Sequence, residues 1–126
     1  MNAAQRARNA YAPSRAGILT ARGTEYAVFA RITHDLKSAS DRGRPGFAAL
    51  VAALHENRRL WRTLAIDVAD SGNALPDDLR ARILYLAEFT ALHTSRVLGG
   101  NGGTEPLIEI NTAVMRGLRA APEAAA

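Results

Sequence analysis

Apolar residues recur along this chain at intervals of three and four, in four stretches bounded by glycine and proline, and nowhere alternate with polar ones. That spacing lays an apolar stripe down one side of an α-helix, whereas a strand needs strict alternation. The first stretch, about 23–40, places Tyr26, Phe29, Thr33, Leu36 and Ser40 on one side, with Thr24 positioned to cap it. The second, about 45–71, carries Phe47, Leu50, Val51, Leu54, Trp61, Leu64, Ala65 and Val68. The third, about 76–98, opens on Pro76, Asp77 and Asp78. Proline fits a first helical turn, and acids suit the positive end of the helix dipole. The fourth, about 104–118, has Thr104 as cap, Glu105 and Pro106 in its first turn, and the stripe Leu107, Ile110, Val114 and Leu118.

The punctuation between the stretches is equally plain: Pro13 and Gly17, Gly43-Arg44-Pro45-Gly46, Ser71-Gly72-Asn73 with Pro76, Gly99-Gly100-Asn101-Gly102-Gly103, and Pro122. Among 126 residues, 26 are Ala and 14 are Leu, which lose little on entering a helix. The spacing therefore predicts an all-α fold, a small antiparallel bundle of about four main helices. A basic, loosely ordered arm at 1–22 should precede a helical domain at 23–119, and a flexible Ala-rich tail should close the chain at 120–126. The five-residue glycine-rich link should be loose, leaving the last helix the most mobile.

Several chemistries are missing. There is no cysteine, so no disulfide, thiolate metal site or thiol nucleophile can form. The three histidines stand apart, and no metal or other cofactor is expected. No phosphate-binding glycine loop, H-E-x-x-H or G-x-S-x-G occurs, and the paired Asp77 and Asp78 are explained by a helix start, so the chain does not read as an enzyme. No apolar run approaches the ~20 residues of a membrane span, and membrane insertion is not expected. The formal charge of +4 is unevenly divided: residues 1–63 carry +7 and residues 64–126 carry −3, with fifteen of the sixteen cations arginine. The basic half would suit RNA. The acidic half, the 6% aromatic content and the lack of any known RNA-binding pattern argue against nucleic acid.

Polar residues on apolar sides mark where folding alone does not explain the sequence. Asn57 and Arg58 share a side with Leu54, Trp61 and Ala65, and Arg59 and Arg62 flank them. A desolvated arginine needs an acid or a way out to water. Trp and Arg are also the residues most enriched in interface hot spots. Asn57, Arg58, Arg59, Trp61 and Arg62 are therefore the candidate partner-binding residues. Asn111, alone in the last stripe, should fix register between helices. His93 should be a hydrogen-bonded core histidine, with His34 and His55 on polar sides. The third stretch is apolar twice over: Leu79, Ile83, Leu86 and Val97, with Thr90 and His93 among them, form one stripe, and Tyr85, Phe89 and Leu92 a second. A helix with two such sides is central in its bundle or half-open to a partner.

The ordered strings Tyr26 with Phe29, Asn57-Arg58-Arg59-Leu60-Trp61 with Leu64 and Asp67, Gly72-Asn73 with Leu75-Pro76 and Arg80, His93-Thr94, and Glu105-Pro106-Leu107-Ile108-Glu109-Ile110-Asn111 with Met115, Gly117 and Leu118 resemble the FlaF family of α-proteobacterial flagellar biosynthesis regulators. The resemblance covers about residues 3–119. It implies a cytoplasmic helper of flagellin synthesis or secretion that binds flagellin before export and works with the regulator FlbT. The alternative it leaves open is post-transcriptional control of flagellin expression with FlbT, as an adaptor or through RNA.

Overall fold

The computed structural model describes the backbone of residues 15–125 and the side chains of residues 26–117. Four helices follow one another: α1 (Arg15–Asp41), α2 (Phe47–Ala69), α3 (Asp77–Leu98) and α4 (Glu105–Ala125), with a single 3₁₀ turn (Arg44–Gly46) leading into α2. No strand occurs among the described residues, and no helix there is long and apolar enough to cross a membrane. Helices α2 and α3 begin and end within two residues of their predicted bounds, and α4 begins within one residue of its own but runs seven residues past its predicted end at 118. The first starts eight residues before Gly23 and runs through Gly17 and Gly23, so Thr24 stands inside the helix and not at its start. Glycine in a helix costs about 1 kcal/mol relative to alanine, too little to end one whose other residues here include Ala16, Leu19, Ala21 and Arg22. Of the expected basic arm, residues 1–14 lie outside the described residues, and the rest is helical. The backbone of the Ala-rich tail is likewise helical as far as Ala125.

Helix α1 packs along both α2 and α4, and α2 packs along α3, whereas α3 and α4 approach each other less closely. The core runs between them in two groups. Ile32, Leu36, Ala53, Leu54 and Leu107 form one. Phe29, Trp61 and Ala87 form the other, with Ile83, Leu86, Ile110, Val114 and Met115 packed around it. Phe29 and Trp61 meet edge to face, centroids 5.8 Å apart at 79°, the arrangement their ring quadrupoles favour. Two members of the predicted second stripe depart from it: Phe47 and Val51 lie at the solvent-facing start of α2.

Side chains close the helix ends. At the end of α1, Gly43 takes φ 64° and its N–H bonds the Ser40 carbonyl. A Cβ on Gly46 would run into the Ala39 carbonyl oxygen and stand 2.9 Å from Arg42 Cβ, so the α1–α2 turn is that tight because residue 46 has none. The end of α2 is held by the loop after it. Asn73 Nδ2 donates to the Asp67 carbonyl at 3.0 Å, and Arg80 reaches back from α3 to the carbonyls of Val68 at 2.8 Å and Asp70 at 3.0 Å. Arg80 thus ties α3 to the orphan carbonyls of α2. A charge-assisted bond contributes about 1.5–3 kcal/mol, and the one to Asp70 is exposed and adds little, so Arg80→Ala is expected to lower unfolding stability by about 2 kcal/mol. Arg80→Lys, which lacks the fork, should recover only part of that. A urea titration of the three proteins checks both.

The glycine-rich link is pinned, contrary to expectation. Asn101 N–H bonds the Arg96 carbonyl at 2.8 Å and Gly100 N–H that of Val97 at 3.0 Å, with Gly100 at φ 79°. This is the paired-bond helix ending that needs a left-handed residue after the helix. His93 Nε2 donates to the Gly103 carbonyl at 2.7 Å, and Thr104 Oγ1 donates to Ser40 Oγ at 3.0 Å. Both ends of the link are therefore attached to the bundle.

Candidate functional site

The five candidate residues divide between the interior and the surface. Asn57 is 0% exposed and Trp61 2%, so neither side chain meets solvent. Trp61 Nε1 donates to Asn111 Oδ1 at 2.9 Å, and Asn111 Nδ2 donates to Asn57 Oδ1 at 2.8 Å. One amide on α4 thereby links two residues of α2 through the middle of the bundle. These bonds tie α4 to α2 at the one amide of the α4 apolar stripe. Asn57 Nδ2 and Thr90 Oγ1 lack hydrogen-bond partners among the described residues. Thr94, 0% exposed, bonds the Thr90 carbonyl at 2.6 Å.

Arg59 lies exposed on the outer side of α2, Arg62 is exposed nearer its edge, and Arg58 is half-buried at that edge. Arg58 Nε is covered and has no hydrogen-bond partner among the described residues. Its stem lies along the bundle and its charge pairs with no acid there. This separates it from Arg31, which bridges Glu56 at 3.1 Å and Asp35 at 3.7 Å. The Glu56 carboxylate, by hydrogen bond and charge, holds the Arg31 guanidinium above its ordinary pKa. The described ion pairs join α1 to α2 (Arg31 with Glu56) or lie within one helix, as Lys37 with Asp41 and Arg80 with Asp77.

The second apolar stripe of α3 faces solvent. Tyr85 is 68% exposed and Leu92 64%, while Phe89 is half-buried and stacks on the His93 ring at 5.5 Å. Leu84 and Leu98 are exposed beside them. His93 is hydrogen-bonded as expected but is half-buried and outside both core groups, and His34 and His55 are exposed. A separate pocket of about 630 Å³ opens where the ends of α1 and α3 meet the starts of α2 and α4, lined in part by Arg44, Phe47, Leu50, Val97 and Glu105. The hydroxyl of its buried residue, Thr104, is already bonded to Ser40. Among the described residues no cluster of three His, Asp or Glu side chains could hold a metal ion.

The helix-end roles of Asn73 and Arg80 escaped the sequence reading. Their signal was Asp70 and Asn73 around Gly72, a turn pattern whose side chains bond nearby backbone. Most of the distinctive strings prove architectural: Asn57, Trp61 and Asn111 join in the core, Asn73 and Arg80 hold α2 to α3, and His93 holds the link.

Comparison with curated proteins and with solved structures finds no match. The family described as flagellar protein FlaF matches residues 7–118. That span takes in every string quoted above and nearly all of the four helices that those strings hold together, and the chain belongs to the FlaF family of flagellar proteins.

Proposed function

We propose that this protein is a cytoplasmic flagellin-binding export chaperone, required for flagellin synthesis or secretion and acting alongside FlbT. The observation that carries this reading beyond family membership is the solvent-facing apolar side of α3, with Tyr85 and Leu92 largely bare on a helix that packs closely along α2 alone. Flagellin awaiting export exposes amphipathic terminal segments, and a helical bundle with an unpartnered apolar side can shield such a segment by helix-to-helix packing. The role is binding rather than catalysis.

Purified protein mixed with monomeric flagellin should co-elute in gel filtration at micromolar concentrations, which corresponds to about −8 kcal/mol of binding free energy. Flagellin trimmed of its terminal helices should elute separately. Separate elution of intact flagellin would replace the chaperone reading with regulation through FlbT. Co-purification of RNA from cells would point to contact with the message.

A further inference from the structure

We propose that the outer side of α3 is a docking surface for a partner's amphipathic helix whose apolar stripe is flanked by carboxylates. At roughly 100° per residue, Tyr85 and Leu92 point directly away from the core-facing side of α3. One edge of this strip carries Leu84 and Leu98 and runs along α2, because Ala87 and Thr94 of the same row are buried and Ala87 packs with Trp61. The other edge carries Arg82 and Arg96 and runs toward α4, because His93 beside them bonds Gly103.

The charge around the strip is mainly basic, with Glu88 on it and Asp78 one turn before Arg82 as the described acids of that side. Arg58 lies roughly 160° around α2 from Glu56, the residue that bridges to α1, which puts it on the edge facing α3. Arg62, one turn further on, is exposed on the same edge. Arg58, Arg62 and Arg82 make no ion pair or hydrogen bond among the described residues, and Arg96 reaches only the Asn101 carbonyl, at 3.5 Å. Of the described acids of α1 and α2, Asp35 and Glu56 pair with Arg31, Asp41 pairs with Lys37, and Asp67 is buried. An apolar strip with unpaired arginines on both sides suits an occupant that is apolar in the middle and acidic at its edges, since opposite charge at the rim guides and orients association.

The strip is straight, and Arg82 to Arg96 spans about 21 Å of helix, so the matching occupant is a helix of about four turns. Glu88, on the strip between Tyr85 and Leu92, disfavours a nucleic-acid phosphate and asks for one cation or hydroxyl on the occupant. The inference takes from the proposed function only the natural partner. Its chemistry rests on exposure and charge alone, and the peptide titrations that test it use neither flagellin nor FlbT.

Two synthetic 18-residue helical peptides with one shared leucine stripe, flanked by glutamate in one and lysine in the other, are titrated into the full chain by calorimetry. The glutamate peptide should bind at least tenfold tighter than the lysine peptide and lose affinity as salt is raised. The double variant Tyr85→Ser with Leu92→Ser should weaken it at least tenfold without moving the urea midpoint. Arg58→Ala should weaken it about tenfold, a common hot-spot effect, also without unfolding, because no acid in the fold is stranded by its loss. Charge reversal at Arg82 and Arg96 should abolish the preference for glutamate. Equal affinity for the two peptides overturns the proposal. So does glutamate-peptide binding that survives the Tyr85 and Leu92 changes, or a homodimer in sedimentation that those changes dissolve. Displacement of neither peptide by flagellin would condemn the flagellin reading while leaving a peptide-binding surface in place.

Discussion

Trp61→Ala is expected to lower the unfolding free energy by about 3–5 kcal/mol, the range for truncating a buried aromatic. The indole is 2% exposed, meets Phe29 edge to face, and packs with Ala87 of α3. Removing it takes away the side chain on which α1, α2 and α3 converge and leaves Asn111 Oδ1 without its donor. A domain of this size has a total stability of about 5–15 kcal/mol, so the variant should be partly unfolded at physiological temperature. Trp61→Phe separates the two contributions. It keeps most of the ring packing but strands the same acceptor, and should cost about 1–3 kcal/mol. Urea unfolding followed by circular dichroism orders the three proteins. If Trp61→Ala unfolded at the wild-type midpoint and lost only partner binding, Trp61 would belong to the interface that its sequence neighbours suggested.

Asn111→Ala should have the second largest effect. It strands two groups at once, the Trp61 N–H and the Asn57 carbonyl oxygen, and each unsatisfied buried group costs about 1–3 kcal/mol. The diagnostic measurement is a double-mutant cycle with Asn57→Ala. Once Asn111 is gone, removing Asn57 also removes one of the groups left unpaired. The double variant should then be more stable than the sum of the single changes implies, by about 0.5–3 kcal/mol. Strict additivity would mean that the two amides do not act as a unit. Replacing the pair by leucines tests whether the network serves stability or register, since apolar replacement of a buried polar set is often neutral or stabilising.

The α3 strip shows how far the sequence carries a functional reading. Tyr85, Phe89 and Leu92 were recognisable as a second apolar stripe from spacing alone, and a helix with two such sides must either bury both or leave one bare. Which of these holds depends on how many neighbours α3 has. The answer came from α1 pairing with α4 and α2 with α3, so that α3 has one closely packed neighbour. The Asn57–Arg62 run shows the converse. Residue type suggested a single binding patch, yet helical geometry sends Asn57 and Trp61 inward and Arg59 and Arg62 outward, with Arg58 between.

Local signals determined the number and type of the described helices, the starts of the last three and the ends of α2 and α3 within two residues, because periodicity, first-turn acids, proline and glycine act over a few residues; α4 runs seven residues past its predicted end. They overstated the breaking power of Gly17 and Gly23, whose cost of about 1 kcal/mol each a long alanine-rich helix absorbs. They also took the glycines of 99–103 for slack, where Gly100 instead supplies the left-handed residue of a helix ending and Gly103 the carbonyl that His93 binds. What only the tertiary structure decided is the pairing of groups far apart in sequence: Trp61 with Asn111 and Asn111 with Asn57, Ser40 with Thr104, Arg31 with Glu56. A hydrogen bond or ion pair is settled by the position of both partners to within a few tenths of an ångström. Helical spacing specifies which side of one helix a residue occupies, and leaves open which helix will face it.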